Sequence, residues 1–275
     1  MSATNSIAAR RRAACAVAAV FLWGGALTGR AEAQEAGQPE HTTSMELDRQ
    51  VRTFLLADVL EFQPNGPETP LNFEGLGWIG GDYQRLYLRA RAEQPTEGRG
   101  GGDLRADVLY GRLLTPFWSA VAGVHFDTRA RAGRDVAGVA TKPGGGRVSR
   151  GNLAIGLLGI APYWFEVEPT LYVSQDGDVS VDFETSFDLL FTQRLILQPR
   201  LELNAAIQAV PEFGVGSGLN DVELGARLRY EIRRTFAPYI GLAWFRRTGG
   251  TAAMARAAGA EVGGSVLAIG IRVWR

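Results

Sequence analysis

The sequence predicts an all-β fold, a transmembrane antiparallel up-and-down β-barrel of about 12 strands. Three observations lead to this prediction: strand-length segments alternate apolar and polar residues, these segments follow one another without helical periodicity, and short and long connections alternate. The segment 178–190 shows the alternation along an extended chain. Its apolar face holds Val179, Val181, Phe183, Phe187 and Leu189, and its polar face holds Ser180, Asp182, Glu184, Ser186 and Asp188. One apolar and one charged face in strand after strand fits lipid outside and water inside.

The start of the chain predicts a secretory signal peptide. Residues 10–12 are three arginines, residues 13–26 form an apolar stretch too short to span a bilayer, and residues 31–33 form an A-x-A cleavage site. Cleavage after this site would make Gln34 the mature N-terminus.

Processing of this signal divides the chain into three predicted regions. They are a signal peptide at 1–33, a disordered periplasmic leader at 34–48 and the outer-membrane β-barrel at 49–275. Cys15 is the only cysteine and lies in the signal, so we expect no disulfide and no thiolate metal site in the mature chain. Loss of the basic signal leaves a slightly acidic chain, which argues against a nucleic-acid partner.

Each predicted strand is placed where the alternation of apolar and polar residues begins and ends. The strands are 49–62, 72–80, 83–93, 103–113, 116–129, 150–160, 163–174, 178–190, 195–208, 219–232, 236–247 and 264–274. Apart from the short join at 175–177, short turns alternate with longer loops rich in Gly, Pro or Arg. Short turns on one side and long loops on the other are typical of bacterial outer-membrane barrels, whereas a soluble β-sandwich, the alternative, has no reason for that order.

Charged residues share the face opposite the apolar one, and an Arg or Lys facing lipid costs about 2–4 kcal/mol at mid-bilayer. We therefore expect these charges to point into the lumen. They are Arg85, Arg89, Glu166, Glu168, Asp182, Glu184, Asp188, Arg200, Glu202, Glu223, Arg227, Arg229 and Glu231. Because a lumen of about twelve strands is narrow, they either pair across it and partly plug it, or form a cation path or metal site.

Aromatic residues cluster near the predicted turns. They are Trp78, Tyr83, Phe117, Trp118, Tyr163, Trp164, Phe236, Tyr239, Trp244 and Trp274. We expect these rings to form the two interfacial girdles where the barrel meets the membrane surfaces.

Donors for a soft or borderline metal are few in the mature chain: His41, Met45, His125 and Met254. Cu(II) favours imidazole and Cu(I) favours thioethers. His125 shares a strand face with Asp127, so we expect it to face the lumen, either as a structural hydrogen-bonding group or as a ligand. The candidate metal-binding residues are His125, Asp127, Glu166, Glu168, Asp182, Glu184 and Met254.

Six stretches carry a resemblance to a known family. They are GWIGGDY at 77–83, APYWFEVE at 161–168, DLLFTQRLILQPRLE at 188–202, GSGLNDVELG at 216–225, LRYEIRR at 228–234 and GGTA at 249–252. With these motifs the chain resembles the copper resistance protein B family of bacterial outer-membrane barrels, from about residue 50 to its end.

This resemblance implies an outer-membrane barrel that takes part in copper tolerance. It implies that copper ions are bound or passed, that no organic cofactor is used, and that a periplasmic multicopper oxidase acts in concert. Family members often carry a Met- and His-rich segment before the barrel. The leader at 34–48 holds only His41 and Met45, so any metal role is expected from the lumen and loops.

Two other functions stay open at this point. A small-solute channel or a structural barrel without copper function would fit the scarcity of His and Met. An outer-membrane hydrolase would need Ser and His together on the lipid side, whereas His125 is expected inside and residue 127 is Asp. We therefore expect a non-enzymatic barrel whose partners are copper ions and outer-membrane lipid.

Overall fold

The computed structural model describes residues 51–66, 69–96, 102–130 and 147–275. The predicted signal peptide, the leader and the candidate ligands His41 and Met45 lie outside the described residues. Within the described ranges, no helix is long and apolar enough to cross a membrane.

Almost all of the described chain is β-strand, as expected from its period-two alternation. The elements are β1 (Arg52–Phe62), β2 (Pro70–Gly80), β3 (Gln84–Pro95), β4 (Asp103–Thr115), β5 (Trp118–Ala130), β6 (Arg147–Ala161), β7 (Phe165–Ser174), β8 (Val179–Ser186), β9 (Leu189–Leu190), β10 (Leu195–Ala206), β11 (Gly218–Tyr230), β12 (Phe236–Arg247), α1 (Gly249–Ala257) and β13 (Gly263–Trp274). Single turns of 3₁₀ helix lie at Pro162–Trp164 and Pro211–Phe213.

The strands form one closed antiparallel barrel. Apart from β8 and β9, consecutive strands pair with each other, and β13 pairs with β1, with Leu56 opposite Trp274 and Phe62 opposite Ile269. The strands β8 and β9 both pair with β10 and share one position in the wall, so the barrel has twelve positions. The predicted 12-stranded antiparallel barrel is confirmed.

Two details of the predicted strands are wrong. The strand predicted at 178–190 is interrupted at Phe187 and Asp188, where the chain leaves the ladder between β8 and β9. The predicted loop at 248–263 contains the helix α1, which packs on β11. Its Ala-rich sequence favours a helix, but a nine-residue helix needs tertiary contacts to form.

The connections define two ends of the barrel. Short connections at 81–83, 116–117, 162–164, 191–194 and 231–235 lie at one end, named here the turn end, together with the start of β1 and the end of β13. Three other connections that the structure describes in full, 175–178, 207–217 and 248–262, lie at the opposite end, named the loop end, and the first of them is short. This alternation was predicted from the sequence.

The two faces of the wall differ in polarity. Outward side chains are apolar and exposed, with Leu153 62% and Ile155 58% accessible. Inward side chains include many charges, and Asp127 and Arg200 are 1% and 7% accessible. A continuous apolar exterior around a charged interior inverts the arrangement of a soluble protein and suits a barrel surrounded by lipid.

An apolar cluster fills the lumen towards the turn end. Its buried members are Tyr87, Leu109, Val121 and Ala154, and Leu76, Trp78, Leu158 and Tyr172 pack against them. The prediction that Trp78 belongs to an outer girdle is therefore wrong. Because Trp78 lies four residues after Glu74 on the same strand face, its ring points inward, where the guanidinium of Arg85 stacks at 4.3 Å.

Candidate functional site

Five charged residues from opposite walls meet in the middle of the lumen. Glu74 and Arg91 are paired across β2 and β3, while Glu184 and Glu202 are paired across β8 and β10, next to Arg200. These two pairs of strands lie far apart in the order of the sheet. Contact between them therefore crosses the lumen, and we name the five residues the central network.

Arg200 is the centre of this network. Its guanidinium lies 2.8 Å from Glu74, 2.9 Å from Glu184 and 2.8 Å from Glu202, and its side chain is 6% accessible. Arg91 contacts the same three carboxylates, with Nη1 3.4 Å from Glu202, Nη2 against Glu184 and Nε 3.9 Å from Glu74. Two guanidinium groups thus hold three glutamates together. Of the two arrangements left open by the sequence, pairing across the lumen is observed for these charges.

Neighbouring charges extend the network along the wall. Glu61, 3% accessible, accepts a hydrogen bond from Tyr239 Oη at 3.1 Å and another from Arg227 Nε at 3.2 Å. Arg89 lies 2.9 Å from Glu168. Tyr239 is buried by this contact, so its predicted place in an outer girdle is wrong. The alternation of β12 places it on the inner face, and nearness to a turn is a weaker signal than strand phase.

A small cavity lies between the central network and the loop end. Its volume is about 30 Å³, and its lining includes His125, Asp127, Tyr172, Asp182 and Asn204. Three arginines, Arg105, Arg129 and Arg150, line the same space. We name it the histidine cavity. A space of this size holds about one or two waters or a single ion.

His125 is oriented by its neighbours on two sides. Its Nδ1 lies 2.8 Å from Asp107 Oδ1 on the adjacent strand β4, and its ring centroid lies 4.5 Å from that of Tyr172. A carboxylate on Nδ1 favours the tautomer that carries the proton there and leaves the Nε2 lone pair free. Asp107 was not among the predicted site residues, although the register of β4 and β5 places it opposite His125.

Asp127 is the most deeply buried acid of the cavity. Its Oδ2 lies 3.5 Å from Arg150 and 3.7 Å from Arg129, while its Oδ1 has no hydrogen-bond partner among the described residues. On β8, three strands further along the sheet, Asp182 accepts a hydrogen bond from Asn204. A buried carboxylate oxygen without a partner in the protein is costly, so this oxygen favours water or a cation in the cavity.

The predicted metal-binding residues occupy four separate places. His125, Asp127 and Asp182 line the histidine cavity, whereas Glu168 and Glu184 are held by arginines around the central network. Glu166 is an exposed residue bonded by Ser186 at 3.4 Å, and Met254 lies in α1. Among the described residues, no three His, Cys, Asp or Glu side chains are grouped so that they could hold a metal ion as they stand.

The fold and the lumen define the class of this protein. A closed antiparallel barrel with an apolar exterior, short turns at one end and an interior of paired charges is an outer-membrane-type β-barrel.

Comparison with known proteins then identifies the family. The family model described as Copper resistance protein B precursor (CopB) matches residues 51–275. The chain is 37% identical over 230 residues to Copper resistance protein B of Escherichia coli, and 36% identical over 227 residues to the Copper resistance protein B homolog of Pseudomonas syringae pv. tomato. Each match covers 82% of this chain and 71% of the relative. The chain belongs to the copper resistance protein B family.

Solved barrels show only a distant likeness. The outer-membrane expressed OmpT of Vibrio cholerae aligns with a TM-score of 0.40 and 8% identity over 82% of this chain and 97% of its own. The beta domain of the Bordetella autotransporter BrkA aligns with a TM-score of 0.34 and 12% identity over 81% of this chain and 98% of its own. Likenesses at this level define neither ligand nor activity.

Proposed function

We propose that this chain is a non-enzymatic barrel of the outer membrane that binds copper ions or passes them through its lumen. The observation that carries the proposal is the histidine cavity: an imidazole and two carboxylates line one small space inside a barrel of a copper resistance family. The apolar exterior supports the membrane location. A periplasmic multicopper oxidase as a partner remains a prediction from the family resemblance.

The chemistry of the cavity favours Cu(II) among the copper ions. Imidazole and carboxylate are borderline and hard donors, which Cu(II) accepts, whereas Cu(I) prefers thioethers. His125 offers Nε2, because Asp107 holds Nδ1, and Asp127 offers an oxygen without a protein partner. Arg105, Arg129 and Arg150 line the same cavity and oppose a bound cation, which would keep its affinity low and its exchange fast. Weak binding with exchange is what passage through a lumen requires.

Copper titration of the purified barrel, freed of any histidine tag, tests this assignment. We expect one Cu(II) site that His125→Gln abolishes and that Asp107→Asn weakens by about 10–100-fold, the usual loss when a partner that orients a histidine ligand is removed. The control Met254→Ala, outside the cavity, should leave the affinity unchanged. No copper binding by the unchanged barrel, or equal binding by His125→Gln, would contradict the proposed site.

A second candidate function is a structural barrel, or a small-solute channel, without a copper role. The central network favours the structural form of this alternative, because its cross-lumen ion pairs fill the middle of the barrel. Growth of a deletion strain in the presence of excess copper separates the candidates. Restored copper tolerance with the natural chain but not with His125→Gln supports the copper role, and equal restoration by both supports the alternative.

A further inference from the structure

The connection between β10 and β11 folds inward at the loop end. We name residues 207–217 the lid. Its Phe213 and Val215 are buried against Ala206, with Val148 and Val210 packed around them. Two backbone hydrogen bonds between Val210 and Val215, 2.8 and 3.2 Å long, close the lid into a compact turn. A connection that buries its aromatic side chain inside the barrel is an internal constriction rather than a solvated loop.

Two arginines hold the lid in this position. The guanidinium of Arg150 lies 4.2 Å from the centroid of the Phe213 ring, within range of a cation–π interaction. Arg129 Nη1 donates a hydrogen bond of 2.8 Å to the backbone oxygen of Phe213. The same two arginines are the ion-pair partners of Asp127, so the lid and the acid of the histidine cavity share one set of cations.

A third contact ties the end of the lid to the helix of the last loop. The backbone N–H of Gly216 donates to Thr251 Oγ1 of α1 at 2.8 Å, and Thr251 bonds to Asn220 of β11, which is fully buried. A Cβ at Gly216 would lie 2.6 Å from the backbone nitrogen of Thr251, so this close approach requires glycine. The lid is therefore anchored at Phe213 and again at Gly216.

The lid lies directly on the histidine cavity. Val210 and Val215 line the cavity together with His125 and Asp127, and these two polar residues are 7% and 1% accessible. We propose that the lid is a size filter, which lets single small ions reach the histidine cavity and excludes larger solutes, including metal chelates. That the admitted solutes are metal ions rests on the proposed function. The size filter itself concerns only which solutes can reach the histidine cavity.

Substituted cysteines test access without any copper. The mature chain is expected to be free of cysteine, so Ser180→Cys, on the cavity wall, introduces a single thiol of similar size. The control Asp176→Cys places a thiol in an exposed connection at the same end. Each barrel in lipid vesicles is treated with Ag⁺ or with a bulkier trimethylammonium methanethiosulfonate. Thiols that remain are counted with a fluorescent maleimide after unfolding, and the chain without either substitution gives the background.

We expect Ag⁺ to block both thiols at similar rates, and the bulky reagent to modify Ser180→Cys at least about tenfold more slowly than Asp176→Cys, since local openings limit access. Phe213→Ala, added to Ser180→Cys, should remove that difference. Arg150→Gln gives the same test if Phe213→Ala does not fold, as judged by heat-dependent mobility of the barrel. The proposed filter would be overturned by any of three results. The bulky reagent modifies Ser180→Cys and Asp176→Cys at equal rates with the lid intact, Ag⁺ fails to block Ser180→Cys, or neither lid variant changes the rate. Since the experiment uses no copper, it can refute the filter without bearing on copper binding, and a failure of copper binding would leave its result unchanged.

Discussion

Replacing Arg200 by Met tests whether the central network stabilises the barrel. Arg200 lies 2.8 to 2.9 Å from three carboxylates, and its side chain is 6% accessible. After the substitution, Glu74, Glu184 and Glu202 share Arg91 as their only cation of the central network. Removing one partner of a buried ion pair costs about 3–5 kcal/mol, because the charges left behind are buried without compensation. We expect a loss of this size in the free energy of unfolding.

Urea unfolding of the barrel in detergent micelles or lipid vesicles measures this loss, with the fluorescence of its tryptophans as the signal. The matched control is Arg52→Met. Arg52 and Asp82 form a pair 3.6 Å long whose side chains are 59% and 53% accessible. Such exposed pairs contribute about 0–1 kcal/mol, so the control should be nearly neutral. Comparing the two variants separates the effect of breaking a buried ion-pair network from the effect of losing any arginine.

A double variant tests the electrostatic origin of the effect. Adding Glu202→Gln to Arg200→Met removes one of the stranded charges and should restore at least about 1 kcal/mol, within the usual range of coupling between contacting residues. The stability of Arg200→Lys should fall between that of the unchanged barrel and that of Arg200→Met. A lysine keeps the positive charge, but its ammonium is a point charge and does not reach three carboxylates as a planar guanidinium does. An Arg200→Met barrel as stable as Arg52→Met, or a double variant less stable than the single one, would refute the reasoning.

Two further substitutions test packing inside the wall. Gly123→Ala should destabilise the barrel by about 1–3 kcal/mol, because the added Cβ would press on the facing backbone of β4. Gly225→Ala is the control and should be neutral, because its Cβ would enter open space. Urea unfolding measures the stability of both variants. Tyr239→Phe should cost about 1–3 kcal/mol by removing one of the hydrogen bonds that the buried Glu61 accepts, while Tyr110→Phe on the exposed outer face should change little. Equal midpoints of unfolding for the two variants would count against a contribution of the buried contact.

Strand positions and faces could be predicted because they depend on local alternation. All twelve predicted strands are present with ends within a few residues, and the lumen-facing orientation of His125 is confirmed. The misplacement of Trp78 and Tyr239 has a local cause as well. Both residues lie near a turn, but the alternation along their strands decides which face they occupy. For Trp78 that face follows from Glu74, which lies four residues earlier on the same strand.

The partners of the lumen charges could not be predicted. Arg200 and Glu74 are 126 positions apart, and they meet only because the barrel closes with a particular stagger between its strands. The same holds for the candidate ligands. His125 and Asp182 come to one cavity, whereas Glu168 and Glu184 of the neighbouring strands are taken up by Arg89, Arg91 and Arg200.

The sequence by itself determined that this protein is a barrel, which residues form its strands and which strand faces are apolar, since these follow from a period of two along the chain. Only the tertiary structure decided which charges pair across the lumen, that the connection at 207–217 turns inward, and that His125, Asp127 and Asp182 share one cavity. Alternation sets the side on which a residue lies. Its height and its opposite neighbour depend on strand register and barrel closure, which are properties of the whole sheet.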